Sequence, residues 1–289
     1  MKEITIISGK GGTGKTSFTA ALAHLGSSMV LCDADVDAAN LHLVSDPQVR
    51  ESHVFEGSWV AEIDPAACTR CDLCTEYCRF DAIHETVSGH LEVQPYQCEG
   101  CRLCERICPS DAIRSTRSTA NEWYVSETRF GTMVHAHMGA GEENSGKLVT
   151  QVRNTARQIA TEQGKDYILT DGPPGTGCPV IASITGTDQI VLVVEPSQTS
   201  LHDAIRVLEL ARSFKLPVSA VINKWDLHKK TSQEIKDRLH ELDVPILGMI
   251  PFDTSIVEAL VHGKTISEFD PNGKISNILK EIWNRITHA

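Results

Sequence analysis

Glu3-Ile4-Thr5-Ile6-Ile7-Ser8 runs into Gly9-Lys10-Gly11-Gly12-Thr13-Gly14-Lys15-Thr16 and then Ser17-Phe18-Thr19-Ala20-Ala21-Leu22. An apolar, β-rich run, a glycine loop of the form G-x-x-x-x-G-K-[ST] and a helical segment follow one another without a break. That order is what makes the loop a phosphate cradle and not a chance turn. The glycines turn successive N–H groups toward phosphate oxygens at a helix N-terminus, whose partial positive charge favours anions. Gly11, Gly12, Thr13, Gly14, Lys15, Thr16 and Ser17 are the expected phosphate contacts. Lys15 is expected to reach the β- and γ-phosphates, and Thr16 to hold Mg²⁺ through its hydroxyl.

Outward from the loop, apolar runs bounded by turn signals recur at 29–35, 166–172, 189–195, 217–224 and 245–252, with helical stretches at 146–163, 200–214 and 232–242. Strands alternating with helices predict a doubly wound, parallel α/β sheet covered on both faces. The length of 289 residues suggests two domains. Hydrophobic residues at 41% and charged residues at 22% are a globular balance, and with a net charge of −11 nonspecific attraction to nucleic acid or anionic membrane is not expected. No apolar stretch reaches the roughly 18 residues that span a bilayer, and the N-terminus reads straight into a strand without a signal sequence. A cytoplasmic protein is expected, with membrane contact not anticipated.

Ten cysteines in such a chain call for metal chemistry, since cytosolic thiols stay reduced, and eight of them lie between 68 and 108. Cys68, Cys71, Leu73, Cys74, Cys78, Asp81, Ala82 and Ile83 recur thirty residues later as Cys98, Cys101, Leu103, Cys104, Cys108, Asp111, Ala112 and Ile113. Both runs have the C-x₂-C-x₂-C-x₃-C spacing of bacterial two-cluster ferredoxins, in which the fourth cysteine of each run ligates the other cluster. Cys68, Cys71, Cys74 and Cys108 are therefore expected to hold one [4Fe–4S] cluster, and Cys98, Cys101, Cys104 and Cys78 the second. Paired zinc sites use widely separated C-x₂-C knuckles instead. Arg79 stands where proline is usual, a departure that changes surroundings without removing a ligand. The expected organisation is a P-loop ATPase domain in two parts, 1–59 and 117–289, around an inserted ferredoxin domain at 60–116. Two clusters add negative charge to an already acidic chain, so a docking partner is expected to be basic.

With Lys10, the loop resembles the deviant Walker A of the MinD/Mrp/nitrogenase-iron-protein group of ATPases. Together with CDADVD (32–37), the two quartets, GEENSGKLV (141–149) and DGPPGTGC (171–178), it resembles MinD-superfamily ATPases with an inserted ferredoxin domain. The resemblance implies ATP and Mg²⁺ as ligands and a nucleotide-dependent homodimer, or a dimer with a related ATPase, in which Lys10 reaches the partner's nucleotide. It implies that Asp171 holds Mg²⁺ and that Asp33, Asp35 and Asp37 lie in the first switch. Asp35 is the favoured residue for orienting the attacking water and Asp37 the Mg²⁺-side alternative, while a helix-capping role for some of the three stays open. Asn223 and Pro251 resemble adenine-contacting positions. Asn223-Lys224-Trp225-Asp226 also has the form of a guanine-reading N-K-x-D, and Lys10 favours ATP over GTP.

Cys178 has the register of a bridging cysteine in the nitrogenase iron protein; the readings are a labile metal site across a dimer or an inert small residue. His135 and His137 read as one strand face, either soft-metal ligands or ordinary packing. Glu142, Glu143, Asn144 and Lys147 resemble the start of a helix. MinD itself uses a terminal amphipathic helix at membranes; here the stripe of Ile275, Ile278, Leu279, Ile282, Trp283 and Ile286 is expected to pack on the core. The function expected from the whole is ATP-driven dimer closure coupled to electron transfer through the clusters to a redox partner. Iron–sulfur or metallocofactor assembly on an apo-protein and a redox-sensing positioning ATPase are the alternatives.

Overall fold

The computed structural model describes residues 1–139 and 145–288. The positions at 141–144 singled out above, with Glu142, Glu143 and Asn144, lie outside the described residues. The chain divides into two compact units, one of Met1–Ser52, Trp123–Ala136 and Gly146–Ala289, the other of His53–Glu122 and His137–Ser145.

In chain order the elements are β1 (Lys2–Ser8), α1 (Lys15–Leu25), β2 (Met29–Asp33), α2 (His42–Ser45), β3 (Gln48–Phe55), β4 (Trp59–Ile63), α3 (Leu73–Glu76), β5 (Ile83–Glu85), β6 (Leu91–Val93), α4 (Leu103–Ile107) and β7 (Ile113–Arg117). There follow β8 (Asn121–Thr128), β9 (Gly131–His137), α5 (Ser145–Glu162), β10 (Tyr167–Pro174), α6 (Cys178–Ile184), β11 (Gln189–Val194), α7 (Gln198–Ser213), β12 (Val218–Asn223), α8 (Lys229–Glu241), β13 (Ile246–Ile250), α9 (Thr254–Val261), α10 (Ile266–Phe269) and α11 (Lys274–Thr287).

Nine strands form one sheet in the order β13-β12-β11-β1-β10-β2-β9-β8-β3. From β13 to β9 neighbouring strands pair in parallel. β1, β2 and β11 are continuous apolar runs because helices cover both faces, and every residue of β2 and β11 is buried. One face packs Phe18 and Leu22 of α1 against Leu279, Ile282 and Trp283 of α11. The other packs Ile7 and Leu192 against Val207 of α7 and Ile235 of α8. α11 thus lays its apolar stripe on the core, with Ile275, Leu279, Ile282, Trp283 and Ile286 buried. Among the described residues, no helix is long and apolar enough to cross a membrane.

The sheet is mostly, not wholly, parallel. Only Arg129 and Phe130 separate β8 from β9, so the two strands run antiparallel. Thr128 stabilises that turn, its hydroxyl donating to the Gly131 carbonyl at 2.7 Å and accepting the Phe130 N–H at 3.1 Å. β1 lies between β10 and β11, so successive crossovers leave it in opposite directions. The crevice at the carboxyl ends of such strands is where ligands bind in open α/β sheets.

The second unit is small and repeats itself. β4 pairs antiparallel with β7, Trp59 opposite Arg117 and Ile63 opposite Ile113, and β5 pairs with β6. Left-handed backbone recurs at the thirty-residue offset, at Asp72 and Arg102 before α3 and α4 and again at Asp81 and Asp111. Its core consists of Ala61, Cys74, Ile83, Val93 and Ile113, with Cys78, Cys98, Cys104 and Cys108 packed on it. The guanidinium groups of Arg102 and Arg117 each stack over Trp59, 4.4 Å from the ring centroid. Gly100 passes so close to Trp59 that a Cβ would stand 2.4 Å from its carbonyl oxygen.

Candidate functional site

The loop between β1 and α1 opens at the crevice of the first unit. Gly12 and Gly14 take φ of 79° and 87°, conformations that L side chains disfavour. At Gly14 a Cβ would also stand 2.4 Å from Asn223 Nδ2, so two requirements select glycine there. Ser8, the loop residues Gly11–Ser17, Asp35, Asn40 and Pro174 line a cleft of about 490 Å³. Thr16 and Ser17 stand on its wall as the motif predicts.

Lys15 lies across the base of this cleft and is buried. Its Nζ reaches Asp171 Oδ1 at 3.1 Å and Asp35 Oδ2 at 3.3 Å. Burial pulls the ammonium down, but Asp171 and then Asp35 outweigh it and hold the group above its ordinary value. Asp171, inside β10 and three residues before its end, also accepts from Thr19 Oγ1 at 3.1 Å. Its Oδ2 is buried with no partner, as is Thr13 Oγ1 in the loop. Buried polar atoms are nearly always paired, so these two mark the places that a phosphate and its cation would satisfy. The donor types, a buried carboxylate and the Thr16 hydroxyl on the cleft wall, suit Mg²⁺, which takes oxygen ligands.

The three carboxylates of the first switch separate by burial. Asp33 is fully buried and serves the loop itself, Oδ1 accepting from the Asp35 N–H at 3.2 Å and Oδ2 from the Leu41 N–H at 3.1 Å. Burial first and Asp171 second push its carboxyl up to about 8. Asp35 faces the cleft and Lys15; burial raises its carboxyl, and Lys15 works in the opposite direction. Asp37 is exposed. Sequence spacing alone gives no way to tell these roles apart.

Beside the loop an apolar cavity of about 200 Å³ is lined by Gly14, Ser17, Asn223, Pro251, Phe252, Ile256, Val257 and Leu260, among others. Asn223 and Pro251 both border it. The Asn223 amide is engaged with the loop and its own strand end: Nδ2 donates to the Thr13 carbonyl at 2.7 Å, and Oδ1 accepts the Lys224 N–H at 3.0 Å. Asp226, the last residue of the N-K-x-D form, accepts the Phe252 N–H at 2.6 Å and does not line the cavity.

Lys10 points along its own chain. Its Nζ lies 2.7 Å from Glu195 Oε1 and 3.1 Å from Ser197 Oγ. Lys224 grips the same carboxylate at 3.3 Å and donates to the Gly12 carbonyl at 2.9 Å. Burial raises the Glu195 carboxyl, but hydrogen bonds from Lys10 and then Lys224 hold it below its usual value. Glu195 carries no motif and escapes sequence reading; its position just beyond β11, at the carboxyl edge of the sheet, is the one signal that would have found it.

In the second unit a cavity is lined by Cys98, Cys101, Cys104 and Cys78, with Cys74, Tyr77, Phe80 and Leu103. All eight quartet thiols are free, and Cys71 and Cys101 are exposed. The fourth thiol of each run accepts a backbone N–H, Cys78 Sγ from Ala82 at 3.4 Å and Cys108 Sγ from Ala112 at 3.3 Å. Among the described residues, no three His, Cys, Asp or Glu side chains converge on a point that would hold a single metal ion. Cubane ligands do not converge in that way, because each thiolate binds a different iron.

Cys178 is exposed at the first turn of α6. His135 is buried, 2.8 Å from Ser126 Oγ and tilted against the Tyr124 ring. Burial, with a smaller effect of His42, lowers its imidazole to about 4. That environment is one of packing, and it keeps the ring neutral.

A family model described as the CobQ/CobB/MinD/ParA nucleotide binding domain matches residues 4–266. An uncharacterized protein of Methanocaldococcus jannaschii is 33% identical over 291 residues, covering 98% of this chain and 96% of that protein. An uncharacterized ATP-binding protein of the same organism is 23% identical, covering 99% and 88%. Among solved structures, the septum site-determining protein MinD of Pyrococcus horikoshii complexed with Mg-ADP gives a TM-score of 0.58 at 20% identity, covering 99% of this chain and 95% of that one. The MinC:MinD cell division protein complex of Aquifex aeolicus gives 0.59 at 21%, covering 100% and 97%. At such identities these two structures speak to the fold alone. Matched by the family model over most of its length, the chain belongs to the CobQ/CobB/MinD/ParA nucleotide-binding family and is a P-loop ATPase of the MinD type.

Proposed function

We propose that this ATPase is an iron–sulfur protein in which the state of the bound nucleotide governs electron transfer through two [4Fe–4S] clusters. The observation that carries the reading is the cavity that thiols of both runs line together, Cys98, Cys101 and Cys104 of one and Cys74 and Cys78 of the other. Two-cluster ferredoxin spacing calls for Cys78 to join Cys98, Cys101 and Cys104, and a shared cavity supports that exchange. Cys68, Cys71, Cys74 and Cys108 form the second set. Size supports it too: a unit whose apolar core is Ala61, Cys74, Ile83, Val93 and Ile113 needs further cross-links, and bound metal supplies them in domains this small. In domain terms, a nucleotide domain made of 1–59 and 117–289 carries a ferredoxin-like insert at 60–116. The clusters, when bound, supply one-electron chemistry.

The roles of the chain's own residues follow from the cleft. The loop N–H groups of Gly11–Ser17 cradle the phosphates, and Lys15 exchanges its carboxylate partners for the β- and γ-phosphates. Asp171 and Thr16 are the Mg²⁺-side oxygens. Asp35, already at the cleft beside Lys15, orients the attacking water, with Asp37 as the Mg²⁺-side alternative. Asn223 and Pro251 border the base, and ATP is preferred to GTP because of Lys10 and because Asp226 does not line that cavity. Lys10 leaves Glu195 to reach a partner subunit's nucleotide in a homodimer, or in a dimer with a related ATPase. In the Aquifex aeolicus structure MinD is in complex with MinC; here the proposed partner is a redox protein or an apo-protein with a basic face.

The test is anaerobic purification of the full chain with iron and acid-labile sulfide analysis, then potentiometry with and without ATP. Brown protein whose cluster potentials move with ATP is the expected result. Colourless, iron-free protein removes the clusters, and potentials indifferent to ATP remove the coupling.

A further inference from the structure

The internal repeat supplies its own control. The two cysteine runs share their backbone, with left-handed residues at equivalent positions, and the fourth thiol of each accepts the N–H four residues on at nearly equal distance. The equivalence breaks two residues after that thiol. Ser110 Oγ lies 3.6 Å from Cys108 Sγ, within reach for a hydrogen bond to sulfur. At the matching place after Cys78 stands Phe80, which has no hydroxyl to offer and is 43% exposed.

As a cluster ligand Cys108 is a thiolate and has no proton, so the serine hydroxyl is the donor. A hydrogen bond to a ligating sulfur stabilises the more negative, reduced state and raises the potential of that cluster. Arg79, beside Cys78, is the counterweight to consider, but it is exposed and its charge is screened by water. Arg102 is paired with Glu105 at 2.8 Å, which neutralises it locally.

We propose that Ser110 sets the two clusters apart: its hydroxyl donates to Cys108 Sγ, and the cluster held by Cys68, Cys71, Cys74 and Cys108 is the easier of the two to reduce. The inference rests on the cluster reading above. Electrons shared by the pair then rest on the Cys108 side, and Ser110 is a positioning residue for them.

The experiment is stepwise reduction of the anaerobic full-length protein by dithionite with mediators, followed by electron paramagnetic resonance. Wild type is expected to give two separate waves. Ser110→Ala should shift the upper wave down toward the lower one, Ser110→Thr should restore it, and Phe80→Ser should shift the lower wave up, all with iron content kept. If Ser110→Ala loses iron, the Phe80→Ser wave decides. Waves that stay in place in iron-loaded Ser110→Ala, or a lower wave unmoved in Phe80→Ser, overturn the role of Ser110 and leave the clusters standing. Wild-type protein without iron overturns both.

Discussion

Asp171→Asn keeps the shape of the side chain and removes one charge from the base of the cleft. Asp171 is fully buried, with Lys15 Nζ and Thr19 Oγ1 each 3.1 Å from Oδ1. Breaking a buried ion pair costs about 3–5 kcal/mol when the remaining charge is left alone. Lys15 is not left alone, because Asp35 Oδ2 stays at 3.3 Å. A second effect runs the other way. Asp171 is, after burial, the chief reason that the Asp33 carboxyl stands at about 8, and each pKa unit relieved returns about 1.4 kcal/mol. The two effects partly cancel, and the expected net loss is about 1–2 kcal/mol, a Tm lower by several degrees. Turnover responds differently. Losing the carboxylate on the Mg²⁺ side removes several kcal/mol of charge stabilisation, which is roughly two orders of magnitude or more in rate. Phosphate release and thermal unfolding measured on the same preparations separate the two. A folded variant keeping more than about a tenth of wild-type turnover refutes the Mg²⁺-side role, since that is under about 1.4 kcal/mol. A Tm depressed by tens of degrees refutes the cancellation.

Asp33 makes stability depend on pH. Its folded carboxyl titrates at about 8, so between about 4 and about 8 the native chain holds a proton that the unfolded chain has released. Stability contributed by that proton is lost as pH rises through this window, at up to roughly 1.4 kcal/mol per unit. Asp33→Asn should flatten the slope in nucleotide-free, chelator-treated protein followed by thermal unfolding, and an unchanged slope rejects the assignment. Gly14→Ala should abolish measurable ATP binding in equilibrium dialysis, because left-handed strain of about 1–2 kcal/mol adds to the clash with Asn223 Nδ2; normal affinity would count against the loop geometry. Trp283→Ala removes a buried ring in edge contact with Tyr167, centroids 5.5 Å apart, and should cost about 3–5 kcal/mol in denaturant unfolding. Stability unaffected by that change would place α11 outside the core.

The loop, the parallel strands and the final helix were legible because each writes a local pattern: glycines before Lys15-Thr16, unbroken apolar runs, a stripe at helical spacing. The cysteine repeat was legible for the same reason. What stayed hidden depends on neighbours far apart in the chain. Asp33, Asp35 and Asp37 look alike in sequence, and only burial turns the first into a brace for the loop and aims the second at Lys15. The Asn223 amide reads as a base contact, yet it also holds the Thr13 carbonyl 210 residues away in sequence. β8 and β3 extend the sheet beyond its parallel part, and no alternation in a short ribbon says which edge it will join.

Glu195 ties the parts of the nucleotide site together. Lys10 from the loop and Lys224 from the border of the base cavity grip its two carboxylate oxygens. Lys224 also holds the Gly12 carbonyl, and Asn223 next to it holds that of Thr13. Phosphate loop, base cavity and Lys10 therefore share one set of hydrogen bonds, and none can be occupied or moved without redistributing the others. Exposed ion pairs are worth little singly, so the value of this cluster lies in its connectivity. On the proposed reading, a triphosphate entering beside Gly12 competes with Glu195 for both ammonium groups, and Lys10 is freed only where that competition outweighs its own bond to Glu195.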